Sequence, residues 1–301
     1  MSHQDASVKS ILFALLANLG IAITKTVAAV ITGSGAMLAE SIHSFADCGN
    51  QGLLFLGLKS SKRKPDAEHP LGYGKAIYFW SFIVALMLFS MGGLFSVYEG
   101  IHKLSSHEGL KSPMIAVAVL SFSMILEAFS LYGCLTQINK IRHKKSLWNW
   151  VKSTRQSELI VVLGEDVAAL LGLAFALIAV ILSIITGNPV FDAIGSIGIG
   201  VLLVFVSVFL ATKVKSLLIG QSADDENNVE IRLFLEKRPE IEKVLNLITL
   251  QLGPQIMVAV KAKMAEVDSA AHLIGNINNC ESELRKMNPS IQWIFFEPDI
   301  E

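Results

Sequence analysis

"LIVVLGEDVAALLGL", residues 159–173, sets two adjacent acids, Glu165 and Asp166, inside a run that is otherwise apolar. The run is part of a longer apolar stretch, residues 158–186, which exceeds the ~20 residues that a helix needs to cross a bilayer. An ionisable group at bilayer depth costs at least ~2.5–3.5 kcal/mol on insertion scales, so it requires a partner or a task. The fold therefore depends on whether the rest of the chain supplies a lipid setting, and the function on what faces these two carboxylates.

The setting is supplied. The chain of 301 residues is 52% hydrophobic and only 17% charged, with a mean hydropathy of +0.53, values that point to a membrane protein. Six stretches are long and apolar enough to span: 9–31, 36–58, 76–101, 113–138, 158–186 and 190–212. The first has no A-x-A-like cleavage site and reads as a retained span. "TGSGA" and "GNPVFD" are short links that make the first two and the last two spans antiparallel neighbours.

Charge orients the bundle. Residues 1–220 hold 17 Lys and Arg against 12 Asp and Glu, and residues 221–301 hold 8 against 14. Lys59, Lys62, Arg63, Lys64 and Lys75 follow the second span, and Lys140, Arg142, Lys144, Lys145, Lys152 and Arg155 follow the fourth. The loop after the third has only Lys103 and Lys111 with Glu108, and Lys213 and Lys215 follow the sixth span. The positive-inside rule then places both termini and the acidic tail in the cytoplasm. These basic loops suit anionic lipid better than nucleic acid.

The tail opens with "ADDENNVEIRLFLEKRPEI", where Asp224 or Asp225 can cap a helix that turns Val229, Leu233 and Leu235 to a core. "KVLNLITLQL" and "IMVAVKAKM" alternate with a period near two around Gly253, Pro254 and Gln255, a hairpin pattern. A second helix and the strand "IQWIFFE" complete the order α-β-β-α-β, an α+β domain with helices on one face of a sheet. The expected division is a membrane domain, residues 1–215, and a cytoplasmic domain, residues 216–301.

Several ionisable groups lie within the spans: Lys25, Glu40, His43, Asp47, Glu127, Glu165 and Asp166. His43 and Asp47 are four residues apart and project from one helical face, with Glu40 a turn earlier. An imidazole and a carboxylate so placed make half of a tetrahedral site for a divalent ion such as zinc, and the fifth span is the best donor of the rest. Lys25 and Glu127, lone charges on two helices, read first as groups that hold the bundle together. Glu40, near the outer end of its helix, is either hydrated or on an access path. Cys48, Cys134 and Cys280 are too scattered for a disulfide framework or a thiolate site and read as buried free thiols. Without an H-E-x-x-H helix, a nucleophile beside a base or an ATP-binding motif, the sequence argues against an enzyme and against an ATP-driven pump.

"SGAMLAESIHSFADCGNQGLL", "HPLGYGK", "LGEDVAALLGL" and "GNPVFDAIGSIGIGVLL" resemble the cation diffusion facilitators, most closely the subgroup that contains the ninth human zinc transporter. The resemblance covers nearly the whole chain. It implies six transmembrane helices followed by a cytoplasmic ferredoxin-like domain, a homodimer, and export of zinc in exchange for protons by alternating access. It assigns His43, Asp47 and Asp166 to the transport site, but Val162 stands four residues before Asp166, where the family has a metal-binding side chain. Glu165 is the obvious replacement, although adjacent helical residues point about 100° apart; a water is the alternative. Ser44, Asn50 and Gln51 are weaker oxygen donors within reach, and Glu40, Asn50 and Glu127 are candidates for a proton path or accessory role.

So hard a ligand set leaves Mn(II), Fe(II) or Co(II) as alternative cargo. A different class of reading is a non-transporting membrane-anchored scaffold or metal sensor. Asp66 and His69 resemble a second metal site of some bacterial members, with Tyr73 where a further His is expected. In the tail, His272 and Cys280 read as a surface histidine and a packed cysteine. The membrane expected is the bacterial cytoplasmic one.

Overall fold

A computed structural model of the chain describes residues 3–106, 112–142 and 145–301; Glu108, Lys111 and Lys144 of the loop charge pattern lie outside the described residues. Long helices come first: α1 (His3–Thr32), α2 (Gly35–Ser61), α3 (Ala76–Met87), α4 (Phe95–Ser106) and α5 (Pro113–Ile141). A short α6 (Leu147–Ser153) precedes α7 (Ser157–Thr186) and α8 (Val190–Ile219). The tail adds α9 (Asp225–Glu236), β1 (Ile241–Leu252), β2 (Gln255–Met264), α10 (Ala270–Met287) and β3 (Ile291–Pro298).

Four helices among the described residues are long and apolar enough to cross a membrane: Ala76–Ser105, Pro113–Ile141, Ser157–Thr186 and Val190–Ile219. α1 contributes the apolar stretch Asn18–Thr32, while α2 carries Glu40, His43, Asp47, Asn50 and Gln51 among its apolar residues. Val30, Phe129, Tyr132, Ile185 and Phe205 are each 70% exposed or more. Apolar surface on that scale suits lipid, and the helices satisfy their own backbone groups as lipid demands. The chain is a multi-pass integral membrane protein.

Between α3 and α4 the helix continues as a π-helical segment, Leu88–Leu94. The third span is therefore not the uniform helix that its apolar run implies, and such segments interrupt helices frequently at functional sites. α4 packs tightly on α8 through glycines: a Cβ on Gly100 would lie 2.5 Å from Ile197 Cγ1, and one on Gly200 2.6 Å from Val97 Cγ2. α8 runs on to Ile219 and stops at Gly220 (φ +130°), so Lys213 and Lys215 lie within the helix, not beyond it.

The chain divides into two compact units. One comprises the described parts of Met1–Leu56, Trp80–Lys144 and Glu158–Lys213; the other joins Gly57–Phe79, Lys145–Ser157 and Val214–Glu301. In the second, β2 pairs antiparallel with β1 and parallel with β3. Leu252 pairs with Gln255 across Gly253 (φ +64°) and Pro254, so the hairpin has a two-residue loop and Gln255 already belongs to β2. Ile231 and Leu235 of α9, Cys280 and Leu284 of α10, and Ile256, Val258, Val260 and Ala262 of β2 share one core.

Asp224 caps α9, its side chain accepting from the Asn227 N–H at 2.9 Å. The expected core stripe of that helix needs correction. Leu235 is buried, but its i−4 partner is Ile231, and Val229 and Leu233 are exposed. Those two share a second i, i+4 pairing about 160° round the helix, so spacing alone does not choose between the stripes. α6 escapes the periodicity argument because seven residues are too few, yet Ser146 caps it by accepting from the Asn149 N–H.

The loop after α2 lies in the second unit and closes on the hairpin. The Tyr78 hydroxyl accepts from the Gly253 N–H at 3.1 Å. Gly74 and Gly253 meet backbone to backbone: a Cβ on Gly74 would stand 2.0 Å from the Leu252 carbonyl oxygen.

Candidate metal centre

α2 begins at Ser34, whose hydroxyl accepts from the Met37 N–H. Asp192 of α8 secures this end, its carboxylate accepting from the Ser34 hydroxyl at 2.5 Å and the Gly35 N–H at 2.7 Å. A carboxylate at a helix N-terminus meets unpaired N–H groups and the positive end of the dipole. Two turns further on, Lys25 of α1, fully buried, donates to Ser44 Oγ at 2.8 Å and stands 3.4 Å from Glu40 Oε2. Glu40 is also fully buried, so it is not hydrated at a helix end. Gly172 of α7 leaves the space its carboxylate occupies, since a Cβ there would lie 2.5 Å from Glu40 Oε1.

This pairing escapes a reading that treats Lys25 as a lone charge. The signal is present nevertheless, because Lys25 and Glu40 lie almost equally far from the tight link between α1 and α2. In an antiparallel helix pair such residues come level. Thr26 and Ser41, with hydroxyls 2.7 Å apart, follow the same logic.

Deeper in the bundle the acids lack such partners. A cavity of about 70 Å³ is lined by Asp47 and Gln51 of α2, Glu127 and Ser130 of α5, and Glu165 and Asp166 of α7, with Val162 in its wall. About 10–15 Å³ open to the centre of a water is enough to hold one, so the cavity has room for an ion with water around it. Ser130 donates to Asp166 Oδ1 at 3.1 Å, and Asn50 Nδ2 donates to Glu165 Oε1 at 2.6 Å. Asp166 Oδ2 and Asp47 Oδ1 are buried without a hydrogen-bond partner, and so is Glu40 Oε1, although the other oxygen of Glu40 faces Lys25. Leaving such oxygens unpaired in the interior is costly unless water or a ligand supplies the missing bond.

His43 is buried and both its ring nitrogens lack a hydrogen bond; Nε2 lies 3.6 Å from Asp47 Oδ2, beyond hydrogen-bond length. It does not line the cavity. Its Nδ1 lies 3.8 Å from where a Cβ on Gly92 would be, so the ring abuts the π-helical segment. Among the described residues no three His, Cys, Asp or Glu side chains converge closely enough to hold a metal ion as they stand. The cavity thus gathers Asp47, Glu127, Glu165 and Asp166, sets Asn50 behind Glu165, and leaves His43 and Glu40 off its wall. Ser130 is a member that the sequence reading missed, although it lies one turn from Glu127 on the same helix.

In the second candidate, in the loop after α2, the Asp66 carboxylate accepts from one side chain and from one backbone N–H, that of His69. The Tyr73 hydroxyl donates to Asp66 Oδ2 at 2.6 Å, and the His69 N–H donates to Oδ1 at 2.8 Å. These two donors hold the Asp66 carboxyl below the usual carboxylate range, and the same bond pushes the Tyr73 phenol up. Arg63 lies over the Tyr73 ring at 4.0 Å. In the tail, Cys280 is buried in the core and His272 is exposed.

Residues 11–219 match the cation efflux transmembrane domain. The chain is 37% identical over 246 residues to the proton-coupled zinc antiporter SLC30A9, mitochondrial, of Xenopus laevis, a match covering 81% of this chain and 43% of that protein. It is 32% identical over 225 residues to metal tolerance protein C4 of Arabidopsis thaliana, covering 74% and 49%. With the magnetosome protein MamB of Magnetospirillum gryphiswaldense it shares 27% identity over 276 residues, 87% of this chain and 88% of that one. The chain spans less than half the length of the first two relatives. The family match takes in most of α1, all of α2 to α8 and all the residues around the cavity, and the chain belongs to the cation efflux family.

Proposed function

We propose that the protein is a secondary transporter, not an enzyme, that exports a divalent metal cation from the cytoplasm in exchange for protons, with zinc as the first candidate. The observation that carries this reading is the acid-lined cavity within the bundle, where Asp166 Oδ2 and Asp47 Oδ1 have no partner of their own. Asp47 and Asp166 approach the ion from α2 and α7. His43 joins them by rotating from its place beside the π-helical segment, and Glu165 or a water completes the shell. Metal binding requires deprotonated carboxylates and a neutral imidazole, so protons and metal compete for the same atoms. Of these groups, imidazole has the reference pKa closest to physiological pH. Alternating exposure of the cavity to the two sides turns this competition into exchange.

Zinc and proton coupling are supported by the name of the Xenopus laevis relative, a proton-coupled zinc antiporter. The oxygen-rich lining favours a second reading of the cargo, Mn(II), Fe(II) or Co(II). We assign six membrane-crossing helices in residues 1–215 and a cytoplasmic ferredoxin-like domain in residues 216–301, through which two copies pair as a homodimer. Both termini are assigned to the cytoplasm from the basic loops after α2 and α5. The membrane assigned is a bacterial cytoplasmic one; the relatives themselves include a mitochondrial antiporter and a magnetosome protein.

The test is zinc uptake into proteoliposomes under a pH gradient, with Asp47→Ala and Asp166→Ala beside wild type. Both variants are expected to be inactive; undiminished transport in both would exclude the site. Glu165→Gln keeps an oxygen for Asn50 while removing the charge, and reduced transport is expected if Glu165 completes the shell. A chain that moves no metal while its acidic tail retains a protein partner would instead be a scaffold or sensor.

A further inference from the structure

The bundle has a carboxylate that neither the family pattern nor a pair of helices accounts for. Glu127 lies on α5, a helix otherwise turned largely to lipid, with Phe122, Ile125 and Phe129 more than half exposed around it. Among the described residues no ion pair involves Glu127. A carboxylate at bilayer depth with no cation beside it calls for a functional account.

Its place in the cavity supplies one. Glu127 shares the wall with Asp47, Asp166 and Val162. Ser130, one turn further along α5, is bonded to Asp166 and so fixes this face of α5 against α7 at the level of the site. Asp166 is 9% exposed, and its free Oδ2 is buried at that cavity. Val162 offers no donor atom on its side of the wall. The neighbouring Glu165 has one oxygen committed to Asn50 at 2.6 Å.

Resting on the transport reading above, we propose that Glu127 is a direct ligand of the transported cation and supplies the carboxylate that Val162 cannot. The site then draws on three helices, α2, α5 and α7. At the cavity wall it is built from carboxylate oxygens, with His43 the one imidazole close by among the described residues. Carboxylate oxygens suit manganese(II), so such a set narrows the advantage of zinc, where a histidine at the same place would widen it. α5 therefore has to move with α2 and α7 whenever the ion passes.

The test measures Zn²⁺ and Mn²⁺ binding by titration calorimetry on the purified full chain in detergent, with thermal unfolding as a check on folding. Glu127→Ala is expected to weaken both ions at least about tenfold, since even residues behind a ligand cost that much. Glu127→His should weaken Mn²⁺ while retaining Zn²⁺, a change of selectivity that a structural role would not produce. Glu127→Ala combined with Val162→Asp should recover affinity, because the new carboxylate enters the same cavity. Affinity within twofold of wild type in Glu127→Ala, with Asp166→Ala inactive in binding, overturns the proposal and leaves the transport site standing. Unchanged binding in Asp166→Ala as well rejects the site itself. Loss in Glu127→Ala with no recovery in the double variant and no selectivity change in Glu127→His makes the residue structural and also overturns the proposal.

Discussion

Two clusters in this chain combine acids with histidine at metal-like spacing, and their hydrogen bonds separate them. In the loop after α2, both oxygens of Asp66 are occupied, one by the Tyr73 hydroxyl and one by the His69 N–H. Around the cavity, oxygens of Asp47 and Asp166 and both nitrogens of His43 have no hydrogen-bond partner. A polar group that has found its partners is part of the scaffold, while a buried one without a partner carries an energetic debt that a ligand can settle. Residue type and spacing look alike in the two places, and only the partners tell them apart.

The largest effect that would break this contrast concerns Asp166. Asp166→Asn keeps an oxygen for Ser130 and loses the charge, so zinc affinity measured by calorimetry should fall more than about a hundredfold. Asp66→Ala should leave it unchanged, and a comparable loss there would erase the distinction. Next comes the Lys25–Glu40 pair, acid and base both fully buried but matched to each other. Lys25→Met should lower stability by ~3–5 kcal/mol in thermal or chemical unfolding, because it strands a buried carboxylate. Adding Glu40→Gln should recover most of that loss.

A smaller effect is expected in the loop itself. Gly74→Ala pushes a methyl into the Leu252 carbonyl and should cost ~1–3 kcal/mol of stability with zinc affinity intact. The smallest is a pH dependence. The Asp66 carboxyl is held below its ordinary pKa of 3.8, so its contribution is present above that pH and fades as the pH falls through the lowered value. Protection of residues 62–75 against hydrogen exchange, taken relative to the intrinsic rate at each pH, should fall in acid for wild type, and Tyr73→Phe should flatten that response.

Much of this was legible in the sequence, for reasons that differ by element. The spans declare themselves because ~20 apolar residues have few other uses. The hairpin does too, because Gly253 and Pro254 interrupt a strict alternation. The π-helical segment was not legible, since Leu88–Leu94 keeps the composition of a plain span and the change is one of hydrogen-bond register. His43 and Asp47 share a face by spacing, but whether a side chain reaches the cavity depends on its rotamer and on Gly92 across from it. Glu127 looked like a lone charge because its neighbours at the cavity lie on other helices. Position 162 showed a missing donor, yet not where a replacement would come from.

The meeting of Gly74 with Gly253 also bears on how the chain is made. The loop and the hairpin that hold each other are 179 residues apart in sequence. At roughly 5–20 residues per second, the ribosome leaves the first without the second for on the order of ten to forty seconds. Over that interval the loop around Gly74 and Tyr78 waits for the hairpin while further spans are being inserted. The hairpin that locks the loop behind α2 is thus synthesised well after it, and a chain stalled before Gly253 would leave that loop open.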